Sequence, residues 1–405
     1  MAKRLISASG GKISSSAVKI AVISVALSVA VMLISMAVII GFKNEIINKA
    51  VGFSSCINIV NRESAENLET KPVSLEQDFY PSIENENGIS KIQPYIIKPA
   101  VFKSGTQISG VALKGISKDY DKCFFERNMT DGVFQVNDTT GGKKIVISQK
   151  MADLLRVNVG DDLIAYFIQN PLRMRKFIIS GIYSTGLEEY DKLVAIVDMA
   201  ELQKLNSWTK NQVTGFEVMI DDFSRLDEMT ELVRDYAGYK INEDGSMLKI
   251  SSVKDNNRQL FDWITLTEMN VWVILAIMFF VAFVNMSTAL LIIIFEKASM
   301  IGLMKAIGST NWLIRKVFIL QSLYILFRGI IIGNVIALII ILLQYYFHLI
   351  PLDATSYYVD YVPAEFQLWY FIAIDIATIL IMSVMLVIPS LAVSKMQPAK
   401  VIGFK

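Results

Sequence analysis

The stretch that decides the fold is VWVILAIMFFVAFVNMSTALLIIIFEKASMIGLMKAIGSTNWLIRK, residues 271–316. Its first part, Val271–Phe295, has no charged residue and exceeds the ~20 helical residues that cross a ~30 Å hydrocarbon core. A polar segment rich in Lys and Arg follows, and then another apolar run begins. Because only helices and closed barrels satisfy every backbone group inside lipid, we interpret this stretch as two membrane helices joined by a short polar loop.

Working outward from this stretch, the sequence predicts four membrane spans. They are residues 20–42, 267–295, 317–347 and 366–390, in a chain that is 53% hydrophobic. The first run is longer than a signal-peptide core and has no A-x-A site after it, so we expect a retained anchor.

The Lys and Arg residues predict the orientation of the spans. They are in excess over acidic residues in segments 1–19, 296–316 and 391–405, whereas 348–365 has acidic residues but no Lys or Arg. Short cytoplasmic segments carry the excess of positive charge. We therefore expect a multi-pass protein of the inner (cytoplasmic) membrane, with both termini and the 296–316 coupling segment in the cytoplasm and 348–365 as a short periplasmic loop.

Residues 43–266 form the predicted periplasmic domain. Short alternating strand patterns and helical patterns are interleaved there, which indicates an α+β fold. The expected strands are Ile57–Val60, Tyr95–Phe102, Gly110–Ile116, Lys144–Ser148, Asp162–Ile168, Lys176–Ile182, Lys192–Val197 and Phe216–Ile220, and the expected helices are Gln149–Leu155, Met199–Leu205 and Ser224–Tyr236. The two cysteines, Cys56 and Cys123, allow either a disulfide or two free thiols.

The residues needed for catalysis are scarce. The chain has one histidine, His348, so a catalytic triad or a His/Cys metal site is hard to assemble. No glycine-rich stretch matches the G-x-x-x-x-G-K-[ST] phosphate-binding loop. The net charge of +1 gives no indication of nucleic-acid binding. We expect no catalytic residue, no metal and no cofactor bound by this chain.

Three stretches resemble the FtsX/MacB-type ABC permeases. They are Asn285–Phe318, where a span ends in Glu-Lys before a short helix and a glycine, the C-terminal Ile388–Lys400, and Gly41–Ile47 at the exit of the first span. The family's topology, one span, a large outer domain and three more spans, is also the one predicted here. The resemblance implies a permease subunit that works by mechanotransmission with a separate ATPase, which binds the ATP.

Within that family, the predicted outer domain resembles the lipoprotein-releasing (LolC/LolE-like) permeases. Residues 147–162 share a widespread pattern, and residues 170–195 a more specific one. The resemblance implies that a hairpin at 167–176 binds a periplasmic lipoprotein carrier. The candidate hairpin residues are Asn170, Pro171, Arg173 and Arg175. An ordinary hairpin tip without a partner is the alternative.

The coupling segment is the expected docking site for the ATPase. A helix from Lys297 to Ile307 is predicted, with Gly308 as its stop and Ser309 or Thr310 as the cap of the next helix. Apolar side chains of this helix would insert into a groove of the ATPase, and its charged side chains would contact the rim of that groove. The candidate residues are Glu296, Lys297, Ile301, Met304, Lys305, Ile307 and Gly308. The other expected partners are membrane lipids and a second permease, either a copy or a paralogue.

Two charges inside predicted spans depart from the family pattern. Arg328 lies in the third span and Asp375 in the fourth. A lone charge inside a membrane is costly, so we expect the two to pair between these spans, or Arg328 to extend to the interface alone.

The alternative functions are an efflux permease for drugs or peptides and an FtsX-like regulator of a cell-wall hydrolase.

Overall fold

The computed structural model describes residues 12–66, 71–136, 143–169, 171–238, 247–353 and 357–391. Contacts divide the chain into two compact units. The membrane unit comprises the chain up to Lys43, Asp262–Pro351 and the chain from Tyr361 onward, and the extramembrane unit comprises Asn44–Phe261 and Leu352–Asp360.

Four helices are long and apolar enough to cross a membrane within the part of the chain that the structure describes. Span 1 is Lys12–Ser54, span 2 is Arg258–Glu296, span 3 is Asn311–Phe347, and span 4 is Leu368–Met385, which the short helix Val387–Ser390 follows. Span 1 has 43 residues. At a rise of about 1.5 Å per residue it is about 64 Å long, twice the hydrocarbon thickness. The helix of the first apolar run therefore continues without a break to Ser54.

Small residues let spans 1 and 3 pack closely within the membrane unit. A Cβ atom on Gly333 would lie 2.7 Å from the carbonyl oxygen of Ala26 and 2.9 Å from Cβ of Val29. A Cβ atom on Gly329 would lie 2.6 Å from Cγ1 of Val25. Glycines four residues apart are typical of such close helix contacts in membranes, where packing replaces the hydrophobic effect.

Polar side chains also join the spans. Asn285 of span 2 donates a hydrogen bond from Nδ2 to Oγ of Ser24 in span 1, at 2.6 Å. Arg315, near the start of span 3, donates from Nε to Oγ of Ser390 after span 4, at 3.3 Å. Hydrogen bonds between membrane helices are each worth about 1 kcal/mol.

The extramembrane unit is built on one large mixed sheet, as the predicted α+β fold requires. Its ten strands follow the order β12-β1-β11-β3-β4-β9-β6-β8-β5, and β7 pairs with β3 and β8; β2 and β10 form a separate pair. The strands are β1 (Ile57–Asn61), β2 (Val73–Ser74), β3 (Ile89–Ser104), β4 (Gln107–Ile116), β5 (Met129–Gly132), β6 (Lys144–Ser148), β7 (Asp162–Phe167), β8 (Arg173–Tyr183), β9 (Val194–Asp198), β10 (Gln212–Val213), β11 (Gly215–Ile220) and β12 (Leu248–Ser252).

Each predicted strand overlaps an observed one, and the undetected strands are short. β5 reads MTDG and is mostly exposed, so it has no alternating apolar pattern. The observed helices include Arg62–Glu66, Cys123–Arg127, Gln149–Leu155, Glu188–Asp191, Met199–Asn206, Leu226–Ala237 and Val253–Asn256, with 3₁₀ turns at Ser82–Asn85 and Phe223–Arg225. The two cysteines are free thiols, Cys56 buried and Cys123 exposed.

Part of the predicted 348–365 loop belongs to the extramembrane unit. Lys49 donates from Nζ to the carbonyl of Tyr358, at 3.4 Å. The residues on either side of this segment pair with each other in the membrane unit through a bridge between Pro351 and Tyr361.

Candidate functional site: a coupling segment and an exposed hairpin

The coupling helix runs from Ala298 to Ala306, close to the predicted Lys297–Ile307. Gly308 ends it with φ +94°. The amide of Gly308 donates to the carbonyl of Lys305, and the amide of Ser309 donates to the carbonyl of Met304, both at 3.0 Å. These two bonds form a Schellman motif, which satisfies the last carbonyls of a helix and favours glycine at the left-handed position. The predicted stop at Gly308 is confirmed.

Span 3 starts immediately after this turn. The side chain of Thr310 accepts a hydrogen bond from the amide of Leu313, so Thr310 is the N-cap rather than Ser309. An N-cap threonine satisfies one of the free amides of the first turn. The coupling helix is therefore fixed at both of its ends, by the end of span 2 and by a capped turn into span 3.

The exposed face of the coupling helix differs from the predicted one. Ile301 is fully buried in the hydrophobic core of the membrane unit, and Met304 packs against that core. The exposed aliphatic side chains are Leu303, at 58%, and Ile307, at 77%. The prediction that Ile301 is an exposed anchor is wrong, because the chain's own core surrounds this side chain, whereas Met304 is half-buried against that core.

Leu303 and Ile307 are four residues apart and share the outward face of the segment. Trp312, at the start of span 3, is also exposed, at 64%. We call Leu303, Ile307 and Trp312 the coupling surface. Of the predicted rim residues, Glu296 is exposed, whereas Lys297 and Lys305 are half-buried. The segment thus presents exposed apolar side chains next to charged ones, as a docking surface requires.

The second candidate site is the hairpin formed by β7 and β8. The strands pair antiparallel, with Phe167 opposite Arg173 and Ile164 opposite Lys176. Pro171 is exposed at the connection. Asn170, also a predicted hairpin residue, lies outside the described residues.

The tip of this hairpin is apolar and exposed. Ile168 is 82% exposed, Leu172 is 65% and Met174 is 64%. Exposed aliphatic groups at adjacent positions are typical of interaction sites. The sequence-based prediction selected Pro171 and the arginines instead. The alternation of β7 could have predicted this exposure. Every second residue is buried, namely Leu163, Ala165 and Phe167, so Ile168 falls on the exposed side of the alternation.

Of the two predicted arginines, Arg173 binds a neighbouring helix rather than extending from the hairpin. Arg173 donates from Nη1 to the carbonyl of Leu205 at 2.6 Å, near the end of the helix Met199–Asn206. Its Nη2 reaches Oγ of Ser207 at 3.3 Å. A cation at a helix C-terminus satisfies free carbonyls and complements the dipole. Arg175 donates to the carbonyl of Met174 at 3.0 Å.

A buried charge cluster holds the end of span 1 inside the extramembrane unit. The ammonium of Lys114 donates to the carbonyl of Phe53 at 2.5 Å and to Oε1 of Glu217 at 2.6 Å. The hydroxyl of Tyr120 donates to Oε2 of Glu217 at 2.6 Å. Burial, and secondly the charge of Glu217, raises the pKa of the Tyr120 hydroxyl, which therefore stays protonated as a donor. A cavity of about 420 Å³ lies beside the cluster.

Arg328 and Asp375 do not form the predicted ion pair. The carboxylate of Asp375 accepts from Nδ2 of Asn334 at 3.1 and 2.9 Å, and the guanidinium of Arg328 lies 4.5 Å from the ring centroid of Tyr324. Asn334 follows Arg328 by six residues, which is about 9 Å along a helix and about 120° around it. The prediction of a direct pair is wrong because the two charges occupy different levels and faces.

These observations define a class of protein: a multi-pass membrane protein with a large mixed-sheet domain between its first two spans and a short coupling helix between the next two. The chain belongs to the family defined by the MacB-like periplasmic core domain, and its last part matches the FtsX-like permease C-terminal domain. The model of the MacB-like periplasmic core domain matches residues 20–236, and the model of the FtsX-like permease C-terminal domain matches residues 272–398.

Curated relatives match over most of the chain. The lipoprotein-releasing system transmembrane protein LolE of Haemophilus influenzae is 23% identical over 90% of this chain and 88% of its own length. The corresponding LolC of Neisseria meningitidis serogroup B is 23% identical, over 80% of both chains.

Solved extramembrane domains are also similar. The extracellular domain of the transporter YknZ from Gram-positive bacteria is 17% identical, covers 48% of this chain and 99% of its own, and has a TM-score of 0.32. The periplasmic region of MacB from Actinobacillus actinomycetemcomitans is 14% identical, covers 51% of this chain and 92% of its own, and has a TM-score of 0.34.

The two faces of the coupling helix give a test of the coupling surface. We expect Ile301→Ala to lower the free energy of unfolding by about 2–5 kcal/mol, because it leaves a cavity in the core. We expect Ile307→Ala to leave stability within about 0.5 kcal/mol, because the side chain is exposed. Thermal unfolding of the purified protein measures both variants. An equal loss of stability in the two would contradict the assignment of the faces.

Proposed function

We propose that this chain is the permease subunit of an ABC transporter that releases lipoproteins from the outer leaflet of the inner membrane to a periplasmic carrier. The observation that carries the proposal is the similarity to LolE and LolC over 88% and 80% of their lengths. The exposed apolar tip of the β7–β8 hairpin supports it independently, because the carrier of an acylated protein must be recognised at an accessible surface.

The proposed orientation follows the charge distribution. The coupling segment and both termini face the cytoplasm, and the extramembrane unit lies in the periplasm. A separate ATPase subunit, which binds the ATP, docks on the coupling surface of Leu303, Ile307 and Trp312. A second permease, a copy or a paralogue, completes the transporter. Apolar side chains of this kind fill a groove on a partner, and neighbouring charges set the orientation of docking.

The work of transport is mechanical in this proposal. Movement of the coupling helix on ATP binding is passed to the spans through the buried side chain of Ile301 and the capped turn at Gly308. Span 1 is continuous to Ser54 and its end is held by Lys114 in the sheet, so movement of this helix is passed to the extramembrane unit. The lipoprotein leaves the outer leaflet without crossing the membrane through a channel.

The hairpin is the proposed site of carrier capture. Arg173 and Gln169 both donate to the carbonyl of Leu205, so the connection between the two strands is held in place. A connection that is already held loses less entropy when the tip binds. Ile168 and Leu172 would insert into an apolar surface of the carrier.

Depletion of the protein tests the proposed function. We expect acylated lipoproteins to accumulate in the inner membrane, because no other step in this proposal removes them from the outer leaflet. Membrane fractionation followed by detection of the acylated proteins measures this. If lipoproteins still reach the outer membrane while cells become sensitive to exported compounds, efflux is the function instead.

Variants of the hairpin test carrier capture. We expect Ile168→Asp with Leu172→Asp to lower cross-linking of the carrier at least about tenfold, since charges replace buried apolar contacts. The matched control is Ile108→Asp, because Ile108 is also exposed, at 63%, on a different hairpin of the same unit. The control should keep cross-linking and restore lipoprotein release in depleted cells. Equal loss in the control and the hairpin variant would exclude a specific role of the tip.

A further inference from the structure

Arg328 is an exposed cation on span 3 whose charge the permease function does not use. Its guanidinium lies over the ring of Tyr324, 4.5 Å from the centroid. Among the described residues no carboxylate forms an ion pair with it. Asp375, its predicted partner, accepts hydrogen bonds from Asn334 instead. An aromatic ring below a guanidinium stabilises and orients it, but does not neutralise it.

The packing of spans 1 and 3 fixes the depth of Arg328 in the membrane. The two helices run parallel, with Gly329 against Val22 and Val25, and Gly333 against Ala26 and Val29. Arg328 therefore lies about one turn above Lys19, the last charge before the first apolar run. It also precedes Phe347, the last residue of span 3, by 19 residues. That distance is about 28 Å, nearly the whole hydrocarbon thickness of about 30 Å.

Arg328, which lies 11 residues inside the predicted third span, is thus about one turn from the membrane boundary that Lys19 marks on span 1, on the side where span 2 ends and span 3 begins. We call this the coupling side. At this boundary the phosphates of the lipid headgroups meet the first methylene groups of the acyl chains. A guanidinium at this level can contact phosphate without crossing hydrocarbon.

A crevice of about 460 Å³ lies between the two helices at this level. Lys19 and Arg328 are its two charged lining residues, and its described lining contains no acidic side chain. The remaining wall is aliphatic, formed by Val18, Val22, Ile23, Ile331 and Ile332. Two cations at one end of an apolar wall are complementary to a negatively charged headgroup joined to an acyl chain.

We propose that this crevice binds an anionic phospholipid of the coupling-side leaflet. The phosphate lies between Lys19 and Arg328, and one acyl chain follows the aliphatic wall formed by Val22, Ile23 and Ile332. Arg binds phosphate oxygens with two parallel charge-assisted hydrogen bonds, and Lys acts as a second positive charge. Basic pockets between membrane helices on the cytoplasmic side bind anionic headgroups in this way.

A lipid fits the crevice better than a soluble anion. The wall is apolar and opens beside the acyl chains of the membrane, so a soluble phosphate would leave that wall without a partner. A lipid contacts both helices next to Gly329, where spans 1 and 3 pack closely, and therefore stabilises their contact. The inference goes beyond the proposed transport function and does not depend on the cargo.

Native mass spectrometry of the full-length protein in detergent tests the lipid site. The purified protein is titrated with phosphatidylglycerol and, separately, with phosphatidylethanolamine of the same chain length. We expect phosphatidylglycerol to bind at least about fivefold more tightly, and Arg328→Gln to remove at least about fivefold of that affinity, since two charge-assisted hydrogen bonds are lost. Lys19→Gln should lower it less, and Arg328→Lys should restore part of it.

The matched control is Lys316→Gln, because Lys316 is an exposed cation of span 3 that does not line the crevice. It should bind phosphatidylglycerol like the wild type, and excess inorganic phosphate should not displace the lipid. Equal binding of both lipids, or equal affinity of the wild type and Arg328→Gln, would overturn the proposal. So would a loss in Lys316→Gln as large as in Arg328→Gln, because attraction would then follow net charge alone. If Arg328→Gln does not fold, Lys19→Gln decides by the same comparison.

Discussion

The hydrogen bond from the buried ammonium of Lys114 to the carbonyl of Phe53 is the interaction on which the rest of the structure depends. The last carbonyls of a helix have no partner within the helix, and here one of them is buried. Lys114 satisfies it, but a buried ammonium in turn requires a counter-charge, which Glu217 supplies, and Tyr120 satisfies the second carboxylate oxygen. Removing one partner of such a pair typically costs about 3–5 kcal/mol, because the other charge is left buried. The end of a helix that begins as a membrane span is thereby bonded to Lys114 of strand β4, which is paired with Glu217 of strand β11.

The same requirement, that polar groups find partners where water is absent, explains the membrane unit. Asn285 and Ser24, and likewise Asn334 and Asp375, satisfy one another between spans. Glycines at 329 and 333 allow the close approach of spans 1 and 3. The coupling surface and the hairpin tip, in contrast, are apolar and exposed. In our proposal the ATPase covers the first and the carrier contacts the second, while Arg328 finds its counter-charge on a lipid.

The sequence predicted features that depend on local pattern. The four apolar runs predicted the spans, Gly308 predicted the stop of the coupling helix, and the strand Lys144–Ser148 has the predicted bounds. Features that depend on which groups meet in three dimensions could not be predicted. Lys114 and Glu217 are 103 residues apart and carry no motif. Ile301 has the spacing of an exposed anchor, yet the core of its own chain occupies that face. The charges of Arg328 and Asp375 suggested an ion pair that does not form. Residue counting could not exclude it, because counting gives neither the rotation of a helix nor its offset from a neighbour.

The central claim of this account is that span 1 and its anchored end transmit the work of ATP hydrolysis to the release of lipoprotein. The most direct measurement is ATP-dependent release of an acylated lipoprotein from proteoliposomes to a soluble carrier, with the full transporter. Asn48 is exposed on the continuous helix, so Asn48→Pro interrupts the helix without removing a buried side chain, and Asn48→Ala is the matched control. The account predicts that Asn48→Pro hydrolyses ATP but releases lipoprotein at least about tenfold more slowly than Asn48→Ala, since a kinked helix passes on less of the movement. Equal release by the two variants would contradict it.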